Sequence, residues 1–486
     1  MSSREICEER PDENPIKGQT AMNVADRKNT TARDMTQGPI LWELVLFALP
    51  LMLGNVFQML YNTVDSVIVG NFVSKQALAA IGSTTVIVNM LVFFFSGFAI
   101  GAGVIIGRSF GAHSMEQLHT AIHTTMAAAF ALSLLLTILG LAAVEPMLVL
   151  MRTPEDVFAD AVLYLRIYIG GISGLLIYNM GSGILRAVGD STRPLYFLIF
   201  TSVVNIALDL LFVLVLKTGI AGAAIATILS QFLSAAMILI LLTRTDDIYR
   251  LNWKELRIDF PVLGKIFAVG MPAALQSVIT SFSNIFVQGY INVFGSDVMA
   301  GWSSYNKLDH FILLPMQSMA MASTTFVSQN SGAGDEKRSH RGTVTAIVMT
   351  CGVTGAIAVV LAVFAPQAVR LFSPEPEVIR YGVLFIRTNV FFLLFNCVNH
   401  VLAGALRGRG DAVGPMIIML SSFVMVRQIY LYLATHYIAN TPRIVGLGYP
   451  VGWVCCCVIE LIYAAIQRRR RNSGASSPQP EKTEQA

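Results

Sequence analysis

The sequence has 486 residues, of which 54% are hydrophobic and only 13% are charged, and its formal net charge is +4. Soluble domains carry about a quarter charged residues, so this composition excludes an ordinary soluble protein and indicates a chain that crosses a membrane many times. So small a net charge gives no reason to expect a nucleic-acid partner, and none is expected.

Residues 1–40 are polar and charged and lack the pattern of a cleavable signal peptide, so we predict a disordered cytoplasmic tail. Beyond them, apolar stretches of about 20 residues recur, and each is long enough to cross a bilayer core of about 30 Å. Twelve membrane spans are therefore predicted, near residues 44–70, 82–107, 119–144, 161–185, 195–216, 220–242, 262–290, 297–326, 342–365, 379–405, 414–437 and 447–467.

Lys and Arg fall mostly in alternate loops, which places both termini in the cytoplasm of a multi-pass protein of the cell membrane. A basic linker, residues 243–261, separates the first six spans from the last six. The chain ends in residues 468–486, where the basic run Arg468–Arg471 precedes a polar segment that we predict to be disordered.

An internal repeat organises the spans. The pattern L-R-x-x-G-D-x-x-x-P occurs at residues 185–194 and again at residues 406–415, and Pro50 has a counterpart in Pro272. Each half holds an even number of spans, so both halves enter the membrane from the same side, as parallel repeats do. The predicted fold is an all-α membrane protein with an N-lobe, residues 41–242, and a C-lobe, residues 262–467. A central cavity is expected between the lobes.

The repeated loop pattern is interpreted as structural. Its arginine ends a span at the cytoplasmic face, its glycine permits a tight turn and its proline begins the next helix. The glycines of residues 101–107 lie inside an apolar helix, so close helix packing explains them better than a phosphate site.

Four polar side chains interrupt apolar spans of the N-lobe. Asp65 is in span one, Asn205 and Asp209 are one turn apart in span five, and Thr227 is in span six. At 1.5 Å per residue, Asp65, Asp209 and Thr227 lie within roughly 10 Å of the outer membrane boundary. Buried carboxylates are unfavourable in lipid and oxygen ligands suit a proton or Na⁺, so we predict a cation-coupling site. The alternative is local structural pairing inside the bundle.

The C-lobe lacks this cluster, because the repeat positions of Asp65 and Asp209 hold Val287 and Tyr430. Lys307 and Asp309 in span eight are candidates for lining a cavity, and the alternative is that each pairs with another helix. Arg427 and Glu460 are interpreted as a structural pair.

The chain resembles the multidrug and toxic compound extrusion (MATE) family in three features: twelve spans in two six-helix lobes, the paired loop patterns and the sequence of span one. Span one carries the A-x-P-x-M pattern of that family, with the aspartate fifteen residues after Pro50. The resemblance implies that Asp65, Asn205, Asp209 and Thr227 bind the coupling ion, and that Gln58 and Tyr61 are polar wall residues.

The same resemblance implies an antiporter, not an enzyme, that exports cationic or amphiphilic drugs and toxins. H⁺ or Na⁺ drives it, no other cofactor or metal is needed, and span one bends at Pro50. A monomer in the lipid bilayer with small-molecule substrates is expected.

Two other function classes remain open. A related flippase for lipid-linked saccharides would show a larger cationic cavity lining, for which Lys307 is the strongest candidate. A receptor or membrane enzyme would need a nucleophile or metal constellation, and the polar loops contain no paired His, Asp or Glu motif.

Overall fold

The structure, a computed structural model, describes residues 32–474, and within that range it contains helices and no strands. Twelve spans result if one bent helix pair is counted as a single span, which confirms the predicted number. In chain order they are α1 (Ile40–Phe72), α2 (Gln76–Gly111), α3 (Met115–Leu150), α4 (Glu155–Gly170 with Ile172–Ala187), α5 (Thr192–Val215), α6 (Ile220–Arg244), α7 (Phe260–Asn292), α8 (Ser296–Gly332), α9 (Glu336–Val363), α10 (Pro376–Gly408), α11 (Val413–Ile438) and α12 (Pro442–Arg471).

The bend in α4 measures 46° and falls at Gly171. A Cβ at this position would lie 2.0 Å from Cγ2 of Ile228 on α6, so only glycine allows the two helices to approach this closely. Between the two halves of the chain, the linker holds a single short 3₁₀ turn, Trp253–Glu255, and His123 of α3 anchors it by accepting a 3.0 Å hydrogen bond from the backbone N–H of Asn252.

Buried side chains form separate cores in the two halves of the chain. Two clusters, centred on residues such as Ile122, Leu176 and Leu165, draw mainly on α2–α6, and a third, centred on Trp302 and Phe385, draws on α7–α12. A smaller cluster joins the start of α1 to α8, α9 and α10. This arrangement is the predicted all-α fold of two six-helix lobes.

The glycine in both copies of the L-R-x-x-G-D loop has the turn-forming role predicted for it. Gly189 and Gly410 adopt φ values of +88° and +86°, which favour glycine. Asp190 accepts hydrogen bonds from the backbone N–H groups of Thr192 and Arg193, at 3.0 and 3.1 Å, and so caps the start of α5.

Glycines of α2 hold the two lobes in contact. A Cβ at Gly101 would lie 2.3 Å from the carbonyl oxygen of Ile266 on α7, and a Cβ at Gly111 would lie 1.9 Å from that of Gln329 on α8. The backbones therefore approach more closely than any other residue would allow, which supports close packing as the role of Gly101. A Cβ at Gly107 would lie 2.4 Å from the hydroxyl oxygen of Ser328, whereas Gly103 makes no such close approach. These contacts lie on the half of the molecule nearer to residues 32 and 474, where the described part of the chain begins and ends.

Residues 33–38, which we call the N-terminal strap, connect the lobes at the face where the described part of the chain begins and ends. The backbone N–H of Arg33 donates to the carbonyl of Val188 in the N-lobe. Met35 is fully buried among C-lobe side chains, and Arg338 donates to the carbonyls of Gln37 and Gly38, at 2.7 and 2.9 Å. We call this side of the molecule the terminal face, because Arg471 near the C-terminus also reaches Glu336 there.

The strap corrects the predicted boundaries of the tails. The disordered tail was expected to extend to residue 40, but residues 32–39 are held by these contacts, and the remainder of that prediction lies outside the described residues. At the other end, the basic run Arg468–Arg471 continues α12 as helix to Gly474, and the rest of the predicted tail again lies outside the described residues.

Gln329 is the side chain that joins the strap to both lobes. Its Oε1 accepts from the backbone N–H of Met35 at 2.9 Å, and its Nε2 donates to the carbonyl of Ala187 at 2.8 Å. We expect Gln329→Leu to destabilise the protein by about 2 kcal/mol, because two buried backbone groups lose their partners. The thermal unfolding midpoint measures this effect, and Gln288→Leu is the matched control, because Gln288 is half-buried and its side chain bonds only to Asn292 on the same helix. Equal midpoints for the two variants would contradict the proposed role of the strap.

Candidate functional site

A cavity of about 220 Å³ opens among the helices of the N-lobe. Its wall comes from α1, α2, α4, α5 and α6, and Met321 of α8 contributes from the other lobe. A cross-lobe hydrogen bond of 3.3 Å joins Asn55 on this wall to Ser318 of α8. The cavity therefore belongs to the N-lobe and touches the interface between the lobes.

Five of the residues singled out in the sequence line this cavity. They lie on three different helices and comprise Pro50, Gln58, Tyr61, Asn205 and Thr227. On α1 the first three follow one another at helical spacing, so they share a face. The helix continues unbroken through Pro50, which cannot donate the usual backbone hydrogen bond to the turn before it.

Asp65 and Asp209 lie beside the cavity and face each other. The two carboxyl groups are within electrostatic range of one another, and the side chain of Asp209 is fully buried. Tyr164 of α4 lies within electrostatic range of both, and Tyr61 within range of Asp65. The two aspartates lie at the same depth in the structure, as their positions in the sequence predict. Each is about two turns from the end of its helix, α1 or α5, that lies away from the terminal face.

The polar atoms of this cluster have few partners within the protein. Oδ1 of Asp65, both carboxylate oxygens of Asp209 and both side-chain amide atoms of Asn205 are buried without a hydrogen-bond partner, except that the two carboxyl groups can share a proton with each other. Thr227 donates its hydroxyl proton to the carbonyl of Ala223 at 3.0 Å, which leaves the oxygen free to accept. Buried polar atoms are almost always satisfied in proteins, so a cluster with this many open acceptors suits a bound proton or a small hard cation.

Backbone geometry around Asp209 is unusual. It is the last residue of the regular α-helical part of α5, and Leu210–Val215 continue as a π-helix. Such π-helical turns are rare and occur frequently at functional sites. In the C-lobe, α11 contains π-helical stretches as well, at Ser421–Val426 and Ala434–Ile438, so this irregularity by itself does not distinguish the lobes.

Lys307 and Asp309 lie apart from the cavity. The Lys307 ammonium is positioned over the Phe372 ring, 5.3 Å from its centroid, where the aromatic face stabilises the charge. Asp309 neighbours Tyr305 beside a separate C-lobe void of only about 10 Å³. The structure therefore brings neither residue to the other candidates.

The predicted pairing of Arg427 with Glu460 is wrong. Arg427 donates to the hydroxyl of Ser283 at 2.6 Å and stacks over the ring of Tyr449, whereas Glu460 lies within electrostatic range of Arg407. Spans eleven and twelve are in contact, but Arg427 reaches Tyr449 near the start of span twelve, whereas Glu460 lies about three turns further along and faces Arg407 of span ten.

Sequence reasoning missed several residues of the site. Arg186 of the loop pattern lines the cavity, although the repeat suggested a purely structural role. Tyr178, Ser230 and Gln231 also line it. A detectable signal existed for the last two, because adjacent polar residues are uncommon in the middle of an apolar span such as α6.

Comparison with known proteins agrees with this fold. The MatE family model matches residues 50–211 and again residues 272–433, in keeping with the internal repeat. The probable multidrug resistance protein YpnP of Bacillus subtilis (strain 168) is 31% identical over 438 residues, which cover 89% of this chain and 96% of that protein.

Solved structures share the architecture at lower identity. A crystal structure of MATE in the bent conformation superimposes with a TM-score of 0.87 at 22% identity, covering 93% of this chain and all of that one. An outward-facing conformation of a multidrug resistance MATE family transporter gives a TM-score of 0.85 at 23% identity, covering 92% of this chain. The chain therefore belongs to the MATE family of multidrug efflux transporters.

Proposed function

We propose that the chain is an antiporter that couples inward movement of H⁺ or Na⁺ to export of cationic or amphiphilic drugs and toxins. The observation that carries this proposal is the facing pair Asp65 and Asp209, whose open oxygens lie beside a cavity that bears polar and apolar groups. Two adjacent carboxylates repel each other when both are ionised, so a proton or cation between them is favourable. No enzymatic step and no other cofactor is required.

The packing of the lobes suggests which state of the cycle the structure represents. If the terminal face is cytoplasmic, as the distribution of Lys and Arg predicts, the glycine contacts and the N-terminal strap close the cytoplasmic side. The protein then faces outward, where it can accept the external cation. Only a difference in affinity between the outward and inward states can move the equilibrium, so cation binding must favour the state that releases the drug.

Hinge motion at Pro50 offers a physical link between the ion and the drug. Asp65 and Pro50 lie on the same helix, and Gln58 and Tyr61 lie between them along the cavity wall. Neutralising Asp65 removes its repulsion with Asp209, and α1 can respond by bending where its hydrogen-bond ladder lacks one donor. The protein acts as a monomer in the cell membrane in this proposal, with both termini in the cytoplasm.

Efflux in proteoliposomes tests the coupling. We expect ethidium, a cationic fluorescent drug, to move against its gradient when either a pH gradient or a Na⁺ gradient is imposed alone, and the effective gradient identifies the ion. Asp309→Asn is the control variant, because that carboxylate lies in the other lobe, apart from the cavity. Equal ethidium movement with and without both gradients would contradict antiport.

A further inference from the structure

Arg186 places a single positive charge on the wall of the N-lobe cavity. It lies in the last turn of α4 with its side chain half-buried. Among the described residues that line the cavity, it is the only charged one. The lining of the cavity therefore carries one positive charge. The carboxylates of Asp65 and Asp209 lie beside the cavity, toward the end of the spans opposite to Arg186.

No acidic residue compensates this charge within the described part of the chain. The titratable group within electrostatic range of Arg186 is Tyr178, whose hydroxyl already donates to the carbonyl of Pro194 at 3.1 Å. A cation removed from bulk water is unfavourable unless a counter-charge or hydrogen-bond acceptors compensate it. The carbonyl end of α4 offers only a partial negative charge.

The second copy of the repeat places a carboxyl group near its arginine. Arg407 occupies the position that corresponds to Arg186, and it lies within electrostatic range of Glu460, a fully buried carboxylate of α12. In the N-lobe, α6 is the span that corresponds to α12, and it contains no acidic residue. One arginine of the repeat therefore has a buried carboxyl group within electrostatic range, although no hydrogen bond joins them, and the other has none. A purely structural role would not require this difference.

Other groups on the wall are also open to a ligand. The hydroxyl of Ser230 and Oε1 of Gln231 are buried without hydrogen-bond partners, and both residues line the cavity with Arg186. Leu175, Leu195 and Leu198 supply apolar surface between the polar groups. The wall thus combines a cation, a hydroxyl and hydrocarbon, which matches an amphiphile with an anionic group.

We propose that Arg186 binds a carboxylate of the transported amphiphile, so that zwitterionic or anionic amphiphiles bind in preference to otherwise identical cations. The guanidinium can hold a carboxylate through two parallel hydrogen bonds. A zwitterion would direct its cationic group toward Asp65 and Asp209 at the other end of the site. This inference rests on the proposed function and narrows its substrate class.

A matched pair of dyes tests the preference. Rhodamine B carries a carboxylate and a cationic ring system, and its ethyl ester keeps the ring system but lacks the carboxylate. Binding of both is measured by fluorescence polarisation with the full chain in lipid nanodiscs, without any ion gradient. We expect the unmodified protein to bind the acid about tenfold more tightly than the ester, as one charge-assisted contact implies.

Variants at Arg186 separate a contact from a structural effect. Arg186→Gln should abolish the preference by weakening the acid and not the ester, and Arg186→Lys should restore part of it. Arg166→Gln is the matched control, because Arg166 is exposed and paired with Glu145 outside the cavity. Each variant is compared only after it elutes as a monodisperse peak on size exclusion.

Two results would overturn the inference: equal affinity of the unmodified protein for acid and ester, or an equal loss for both dyes in Arg186→Gln. Because binding is measured at equilibrium, the outcome does not depend on antiport. Failure of coupled transport in proteoliposomes with an intact preference for the acid would contradict the proposed function alone.

Discussion

Replacing Asp65 with asparagine is expected to reduce drug resistance to the level of a host without the pump, while the amount of protein in the membrane stays unchanged. Asparagine keeps the size of the side chain but can neither bind a proton at neutral pH nor carry the charge that attracts Na⁺. It also removes the repulsion between Asp65 and Asp209, so the folded protein should lose no stability. Resistance to ethidium, read with the expression level on the same cells, measures the effect.

The matched control is Asp309→Asn, which makes the same chemical change in the C-lobe. Asp309 neighbours Tyr305 beside a void of about 10 Å³ and has no contact with the cavity of the N-lobe, so this variant should retain resistance. Asp209→Asn should behave like Asp65→Asn, because the two carboxylates form one site. Normal resistance in Asp65→Asn, or equal loss in all three variants, would contradict an N-lobe coupling site.

Part of this site was predictable because membrane geometry restricts depth. A span crosses the bilayer at a fixed rise per residue, so the distances of Asp65, Asp209 and Thr227 from the ends of their spans place them at one level. The structure adds the lateral arrangement, which puts Asp65 and Asp209 face to face and Tyr164 beside them. Packing of neighbouring spans decides that arrangement, and no sequence spacing encodes it.

The role of Arg186 could not be predicted for a different reason. In the sequence it is one of two arginines in a repeated loop, and both copies look like topological signals. The difference between them lies in a third helix, where α12 has Glu460 and α6 has no carboxylate. The absence of a carboxyl group near Arg186 becomes visible only when the neighbouring helices are known.

The N-terminal strap shows that composition alone does not predict whether a short polar segment is ordered. Residues 32–39 are as polar as the tail before them, and their polarity predicted disorder. Their fixed position comes from contacts distant in sequence, from Val188 in one lobe to Gln329 and Arg338 in the other. Short polar segments can be ordered entirely by hydrogen bonds that partners elsewhere provide.

Closure of the terminal face depends on Gly101, and replacing it with leucine is expected to shift the protein toward the state that is open on that side. A Cβ there would overlap the carbonyl oxygen of Ile266 at 2.3 Å, and a full leucine side chain leaves α2 and α7 no way to remain in contact. The core of each lobe comes mainly from its own helices, with Ile266 of α7 as an exception in the N-lobe core, so the lobes can separate without unfolding. Drug transport should then be lost, because the cycle requires both states.

Spin labels at Met115 and Lys337 report this change, since both residues are exposed at the terminal face and lie in different lobes. In a variant whose native cysteines are replaced, the distance between the labels should increase in Gly101→Leu. Gly264→Leu is the matched control on α7, where no atom lies within 4 Å of a Cβ, and it should leave the distance unchanged. An unchanged distance with full transport in Gly101→Leu would show that the lobes close without this contact. The expected increase would instead identify the glycine contacts of α2 as the element that holds the terminal face shut.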